Sequence, residues 1–353
     1  MATFYKLSIK EIQQETENAV SILFDIPENL QQEFSFIPGQ YITIKKELNG
    51  KEVRRAYSIC SSKKSNSIKI GVKAVDNGTF SVFATTNLKV GDVLDVSPPE
   101  GRFTLNPDTD HQNYLAFVAG SGITPVLSMI KSVLEAETNS TFVLVYGNKS
   151  ADKTMFKTEI NQLLTKYSEQ LSVHYIFSEV KDNNVLFGRI DTSTVNYILK
   201  NKHKETNFDE FFLCGPVSMI DTVKIDLLDK GISEDVIHFE LFSAKIEATD
   251  TIDATEESLD GEAMITVVLD DEEETFSMKK EKTVLDVVLA KGLDAPYSCQ
   301  GGICSSCLAQ VTEGKAIMDT NTILSDEEVK EGLILTCQAH PTTNKITIDY
   351  DAV

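Results

Sequence analysis

The 353-residue chain has no uninterrupted apolar run near the ~20 residues that a membrane-spanning helix requires, so no such helix is expected. Its opening, MATFYKLSIKEIQQETENAV, is charged and amphipathic and lacks both the basic and the apolar segments of a secretory signal. A soluble, cytoplasmic protein with no membrane partner is the expectation. Basic residues are scarce, 33 Lys and Arg against 54 Asp and Glu, giving a net charge of -21. Phosphates would be repelled by that surface, which argues against a nucleic-acid partner and suits solubility or a basic protein partner. The five histidines are dispersed and form no obvious metal set. A hydrolase triad, a haem motif, a di-iron carboxylate-histidine pattern and a solenoid repeat are likewise missing.

Cysteine is rare too, six in all, yet three fall within nine residues of YSCQGGICSSCLAQ. Where thiols stay reduced, such clustering points to metal binding or redox chemistry rather than disulfides. Cys299, Cys304, Cys307 and Cys337 are spaced C-x4-C-x2-C-x29-C. A plant-type 2Fe-2S centre uses a C-x4-C-x2-C run with one distant cysteine, two thiolates to each iron. Gly301 and Gly302 suit a loop that must turn its amides toward sulfur, where side chains resist the dihedrals required. A four-cysteine zinc site is the alternative, but it ordinarily shows two CxxC knuckles, and only Cys304 and Cys307 make one. His340 in CQAH resembles half of a Rieske ligand set without its partner, and is expected to be a surface or hydrogen-bonding residue.

The length suggests two or three domains. Residues 1–107 read as short alternating runs (YITIKK, SIKIGVKAV, DVLDVS) between turn signals such as Asn77-Gly78, which predicts an antiparallel β-barrel. Over 108–242 the pattern changes to apolar strands alternating with helical stretches, predicting an α/β parallel sheet with helices on both faces. Residues 243–262 hold seven acids, one lysine and no aromatic residue, the composition of an extended linker. The remainder, 263–353, reads as an α+β domain: a hairpin around an acidic turn, a helix at TVLDVVLAKG and a closing strand at KITIDY. The run DDEEE fits a solvated hairpin turn, or steering of a basic partner.

In FVAGSGITPVLSMI, Gly120, Ser121 and Gly122 lie between a strand and a helix expected to start with Thr124 as N-cap and Pro125 in its first turn. Amides there can face a pyrophosphate, although the G-x-G-x-x-G spacing is missing. A later strand ends at Cys214-Gly215-Pro216, on the carboxyl edge where open sheets bind ligands. A small residue there would let a nicotinamide ring approach closely; a buried core cysteine beside a turn fits equally. Asn148, Lys149 and Lys153, after the second strand of this sheet, favour a 2'-phosphate and hence NADPH, with Asp152 close by.

Taken in order, RAYS, NGTFS, GSGITP and CGP resemble the ferredoxin-NADP reductase superfamily and, with the cysteine module added, its oxygenase reductases. The resemblance covers almost the whole chain. It implies three domains: an antiparallel β-barrel for flavin, an α/β domain for NADP(H) or NAD(H), and a β-grasp ferredoxin domain. In that resemblance Arg55 neutralises the flavin pyrophosphate, Tyr57 packs against the isoalloxazine, Ser58 lies near its N5, and Ala56 belongs to the same cofactor-binding run. Gly78, Thr79, Phe80 and Ser81 open a helix toward the same pyrophosphate, which implies FAD rather than FMN. Glu240 and Phe242 in HFELF border the ring or simply end a buried strand; Ser58, Cys214 and Glu240 are the implied catalytic residues. The implied activity is electron transfer from NAD(P)H through FAD and a 2Fe-2S cluster to a separate oxygenase component, a di-iron enzyme in the best-matching group. A Rieske oxygenase or desaturase is the other acceptor, and a zinc-stabilised binding module is the reading from another class.

Overall fold

A computed structural model of the chain describes residues 3–108, 110–136, 139–181, 185–242 and 261–353. Among the described residues two compact units form, one within Phe4–Phe242 and the other within 261–353. The acidic stretch expected as a linker lies outside the described residues up to 260, and its last position, Glu262, already belongs to a strand.

The first unit begins with β1 (Tyr5–Thr16), β2 (Ala19–Asp25), β3 (Tyr41–Leu48), β4 (Lys51–Ser58), β5 (Lys69–Lys73) and β6 (Val93–Val96), with helix α1 (Thr79–Thr86) between the last two strands. All neighbours are antiparallel in the order β4-β3-β6-β1-β2-β5. The chain just past β4 returns to β5 through the Ile59–Ile70 bridge and the Cys60 amide, which donates to the Lys69 carbonyl at 2.7 Å. That pairing joins the two ends of the sheet, and the interior is filled by alternating residues such as Leu7, Ile9, Ile42, Ile44, Leu94 and Val96.

The same unit continues as β7 (Asn113–Ala119), α2 (Ile123–Glu135), β8 (Thr141–Asn148), α3 (Lys157–Lys166), β9 (Leu171–Phe177), β10 (Leu186–Phe187), α4 (Thr192–Tyr197), β11 (Glu210–Gly215), α5 (Val217–Asp229) and β12 (Ile237–Leu241). These strands form one parallel sheet in the order β10-β9-β8-β7-β11-β12. Tyr114 through Val118 are all buried, because a parallel strand covered by helices on both faces cannot alternate. Strand order reverses between β7 and β11, so the loops after these two strands border the crevice where open sheets take ligands.

Helix α2 fixes the barrel against this sheet. It is buried from Ile123 to Leu134, including its polar residues, and those residues bind barrel backbone. The Ser128 hydroxyl donates to the Ser61 carbonyl at 2.7 Å, Lys131 Nζ to the Cys60 carbonyl at 2.8 Å, and the Lys63 amide to Ser132 Oγ at 3.0 Å. Lys131 is also paired with Glu159 at 2.5 Å, so its buried charge is compensated. Gly71 allows the close approach: a Cβ there would lie 2.7 Å from Thr124 Cγ2.

The second unit contains β13 (Glu262–Leu269), β14 (Glu272–Lys279), α6 (Val284–Ala290), β15 (Leu308–Glu313), β16 (Ala316–Met318), α7 (Asp326–Lys330), β17 (Leu333–Leu335), β18 (Ala339–Pro341) and β19 (Lys345–Asp349). A mixed sheet runs β14-β13-β19-β15-β17, with β16 and β18 paired separately. The hairpin turn is Asp270-Asp271, both at positive φ (56° and 61°) as a two-residue primed turn requires. Their amides donate to the Asp351 carboxylate at 3.0 and 2.8 Å, so this part of the acidic run has a structural task.

Candidate functional site

Three residues far apart in sequence meet at the sheet edge that faces the barrel. Ser58 ends β4, and its hydroxyl donates to Glu240 Oε2 at 3.3 Å. Glu240 on β12 is in register with Cys214 on β11. Part of Glu240 stays open to solvent, yet the protein atoms crowding its carboxyl push the pKa up to about 8, against a smaller opposing effect of the Ser58 hydrogen bond. The Cys214 thiol is raised well above its ordinary range, first by burial and then by Glu240. Cys214 is therefore a neutral, compact spacer here rather than a thiolate nucleophile.

Backbone contact holds Cys214 in place. A Cβ on Gly122 would fall 2.4 Å from the Cys214 carbonyl oxygen and 3.0 Å from its Sγ, so only glycine lets the loops after β7 and β11 touch. Gly215 is similarly crowded by Met219 and Ala119. Gly120 adopts φ +58°, and its carbonyl accepts from the Tyr146 hydroxyl at 2.9 Å.

The expected cap at Thr124 is corrected. A 3-10 turn over Gly120–Gly122 runs directly into α2, Gly122 is the N-cap, and Thr124 sits inside the first turn with Pro125. The Thr124 hydroxyl reaches back to the Ser121 carbonyl at 3.0 Å, a local bond that competes with the capping role.

On the barrel, Arg55 and Tyr57 are two residues apart on β4 and so share a face, with Ala56 and Ser58 on the other. The Arg55 guanidinium donates to its neighbour's carbonyl, Arg54 O, at 2.7 Å. Tyr57 packs on Phe80 with ring centroids 5.6 Å apart, and burial raises its hydroxyl pKa, against a lesser effect of Arg55. Helix α1 starts at Thr79 with Gly78 as its N-cap and no side chain occupying the cap. A Cβ on Gly78 would lie 2.3 Å from Ser81 Oγ, which instead accepts from the Val75 amide at 3.3 Å. This helix start leaves amides available to an anion. Phe242, at the end of the unit, is 39% exposed.

At the ends of β8 and β9, Lys149 and Lys153 both pair with Glu179, at 3.3 and 3.0 Å. Sequence reasoning missed Glu179 because its partners lie about thirty positions away across a strand pairing. The Asn148 side-chain amide is buried there and acts on the Tyr146 hydroxyl.

In the second unit the four cysteines of the spaced motif come together with no disulfide among them. Cys299 and Cys304 sulfurs are 3.1 Å apart, and Cys307 is hydrogen-bonded with Cys337. Hydrogen bonds with Cys304 and Cys337, and then the amides of Gly301 and Ile303, hold Cys299 below the usual thiol range. The four thiols thus form one linked set, Cys304–Cys299–Cys337–Cys307, with the Gly301 and Ile303 amides turned toward sulfur, a donor set that fits a 2Fe-2S group on four thiolates.

The expectation that both loop glycines supply unusual dihedrals is corrected in part. Gly302 has φ +71°, where a Cβ would meet the Thr320 carbonyl at 2.6 Å, but the other positive φ belongs to Gln300 (52°). The Gly301 amide instead donates to Cys299 Sγ at 3.3 Å. His340 is buried rather than on the surface, held between the Lys280 carbonyl (3.1 Å) and Asp319 Oδ2 (2.9 Å), so its hydrogen-bonding role stands.

Comparison with known proteins matches these regions one by one. Family models for an oxidoreductase FAD-binding domain match residues 6–105, an oxidoreductase NAD-binding domain 117–224, and a 2Fe-2S iron-sulfur cluster binding domain 267–342. The chain is 37% identical to a component of the 1,2-phenylacetyl-CoA epoxidase of Escherichia coli (strain K12), covering 100% of this chain and 99% of that one. It is 33% identical to the ferredoxin reductase component of 3-ketosteroid-9-alpha-monooxygenase from Rhodococcus rhodochrous, over 98% of this chain and 96% of that one. Among solved structures, phthalate dioxygenase reductase shares the fold over 98% of both chains, with a TM-score of 0.60 and 22% identity. No helix among the described residues is long and apolar enough to cross a membrane.

Proposed function

The chain belongs to the family of oxygenase reductases that join FAD-binding, NAD-binding and 2Fe-2S domains, and from that membership we propose that it supplies electrons from NAD(P)H to an oxygenase of the phenylacetyl-CoA epoxidase type. When bound, the flavin takes up two electrons with a hydride from reduced nicotinamide and passes them on singly through the 2Fe-2S group.

The observation that carries the reading is the meeting of Ser58, Cys214 and Glu240 beside the crevice of the parallel sheet. Arg55 and the amides at the start of α1 hold the flavin pyrophosphate, and Tyr57 offers its ring face to the isoalloxazine. Gly120, Ser121 and Gly122 carry the nucleotide pyrophosphate, with Thr124 and Pro125 beginning the helix beneath them. Cys214, with Gly215 and Pro216, keeps the wall at the sheet switch point thin enough for two rings to approach. Glu240 retains a proton at neutral pH because its pKa stands near 8, and the Ser58 hydroxyl is hydrogen-bonded to that acid. Cys299, Cys304, Cys307 and Cys337 are the thiolate ligands of the 2Fe-2S group.

Anaerobic titration of the full chain with NADH and with NADPH tests this, with optical and low-temperature EPR spectra recorded together. Bleaching of a flavin band followed by a reduced 2Fe-2S signal is the expected result; a chain that neither nucleotide reduces would sink the proposal. The relative named for ketosteroid monooxygenase supports a second acceptor class, so the reduced chain should be mixed with each oxygenase type and reoxidation timed.

A further inference from the structure

We propose that Gln338 is a positioning residue of the four-thiol site: its side-chain amide clasps the ligand loop to Cys337 and, by donating toward the Cys337 sulfur, raises the reduction potential of the group held there. The inference rests on reading the four cysteines as the ligands of a 2Fe-2S group.

Gln338 directly follows the one cysteine of the set that comes from a distant segment. Its Nε2 donates to the Gln300 carbonyl at 3.1 Å, inside the loop between Cys299 and Cys304, and to the Cys337 carbonyl at 3.0 Å. Both partners are acceptors, so the nitrogen of the amide faces them and its oxygen points away. The same nitrogen lies 3.8 Å from Cys337 Sγ, at the long end of hydrogen bonding to sulfur. One amide thus bridges 38 positions of sequence and stands beside a ligand atom. Gln300 holds φ at 52°, a conformation costly to a residue with a Cβ, and the clasp is one of the contacts that keep it there.

The surroundings fix Gln338 for this task. Its backbone amide donates to the Leu335 carbonyl at 2.9 Å, and its carbonyl accepts from the Asp319 amide at 3.0 Å. Asp319 is bound in turn to the buried His340, so the backbone that carries Gln338 is held from both sides. Gly302 leaves room for the side chain, since a Cβ there would lie 3.1 Å from Gln338 Cγ. Most other donors to the thiols belong to the backbone: Gly301 and Ile303 face Cys299, the Cys337 amide faces Cys307 together with Thr336, and Gly302 shares Cys337 with Gln338. Backbone donors persist whatever the side chains are, whereas the Gln338 amide is set by the choice of one residue. A donor at sulfur favours the reduced state, because reduction adds negative charge to the group, so its removal lowers the potential.

The test is an EPR-monitored redox titration of the full chain with its 2Fe-2S group assembled, comparing the parent with Gln338→Met and Gln338→Glu. Methionine keeps the length without an N–H, and glutamate keeps the shape but replaces the donor with a charge. The reduction equilibrium constant should fall about tenfold in Gln338→Met, which is about 59 mV for one electron, and further in Gln338→Glu. Iron should also leave Gln338→Met faster when a chelator is added. A role confined to holding the loop would speed iron loss without moving the potential. Equilibrium constants within about twofold of one another in parent and variants therefore overturn the inference while leaving the 2Fe-2S reading intact. A measurement on the parent alone covers variants that assemble no group: with isotopically labelled nitrogen in the glutamine side chains, pulsed EPR of the reduced group should show a coupling to that nitrogen. Its absence also overturns the inference. A parent chain that gives no 2Fe-2S signal at all removes both this inference and the reading beneath it.

Discussion

Cys299, Cys304 and Cys307 occupy a single nine-residue loop, and only Cys337 arrives from elsewhere. Ser58 and Glu240, by contrast, are 182 positions apart, and they meet only because a barrel and a parallel sheet are locked together through α2. One site is thus written into local spacing, the other into tertiary packing. A local ligand loop can keep its function when a distant element is disturbed. A site assembled from β4, β11 and β12 has no such independence, since a shift of about 1 Å in any of them alters how reacting groups align.

The largest effect that would separate the two regions is expected from Cys304→Ser. Losing one ligand should abolish the iron-sulfide absorption and the reduction of cytochrome c, while NAD(P)H-to-ferricyanide activity at the flavin persists. Equal loss of both activities would show that the two units do not work separately. The converse experiment is Gly122→Ala. Its Cβ must displace the backbone of Cys214, and backbone cannot yield as a flexible side chain does. Ferricyanide activity should fall by about a hundredfold with the 2Fe-2S spectrum intact; a fall below about threefold would mean that this contact does not set the geometry of the crevice.

Glu240→Gln should have an intermediate effect with a pH signature. The folded-state pKa of Glu240 is raised from 4.5 to about 8, so between these values the folded protein holds a proton that the unfolded chain has released. That contribution to stability is complete below pH 4.5 and is lost as pH rises toward 8, with a slope of at most about 1.4 kcal/mol per pH unit. Glutamine keeps the shape and cannot titrate. Denaturant unfolding of the Phe4–Phe242 unit, followed from about pH 5 to about pH 8, should therefore show a shallower decline in the variant; identical slopes would place the titration elsewhere.

What could be read from the sequence follows the same division. The C-x4-C-x2-C run singled out thiols that the structure does bring together, because three of them are close neighbours along the chain, and the strand patterns of YLAFVAG and TFVLVYG survive because burial on both faces leaves a continuous apolar run. The site around Glu240 could be placed only by resemblance, since no spacing rule links it to Ser58. Thr124 failed as a cap because propensity at a single position cannot foresee a 3-10 turn that extends the helix backwards by three residues. Glu179 went unseen because its partners become neighbours only when β8 and β9 pair. His340 has its two partners on segments 60 and 21 positions away, and a lone histidine after a ligand cysteine carries no sign of that.

The smallest effect tests whether the second unit has a stability of its own. Helix α7 is five residues long and buries none of them, so packing contributes little to it. Its support is a capping box in which the Ser325 amide donates to Glu328 Oε2 at 2.9 Å and the Glu328 amide donates to Ser325 Oγ at 3.3 Å. The segment then enters β17, which pairs with β15 directly after the cysteine loop and leads to Cys337. Ser325→Ala should remove about 1 kcal/mol from the second unit and lower its thermal transition by a few degrees. Because Ser325 belongs to the second unit, the transition of the Phe4–Phe242 unit and the ferricyanide activity should stay where they are. A joint shift of both transitions would mean that the two regions unfold as one body, and the contrast between a local and a packed site would then concern only how each is built, not how each is kept stable.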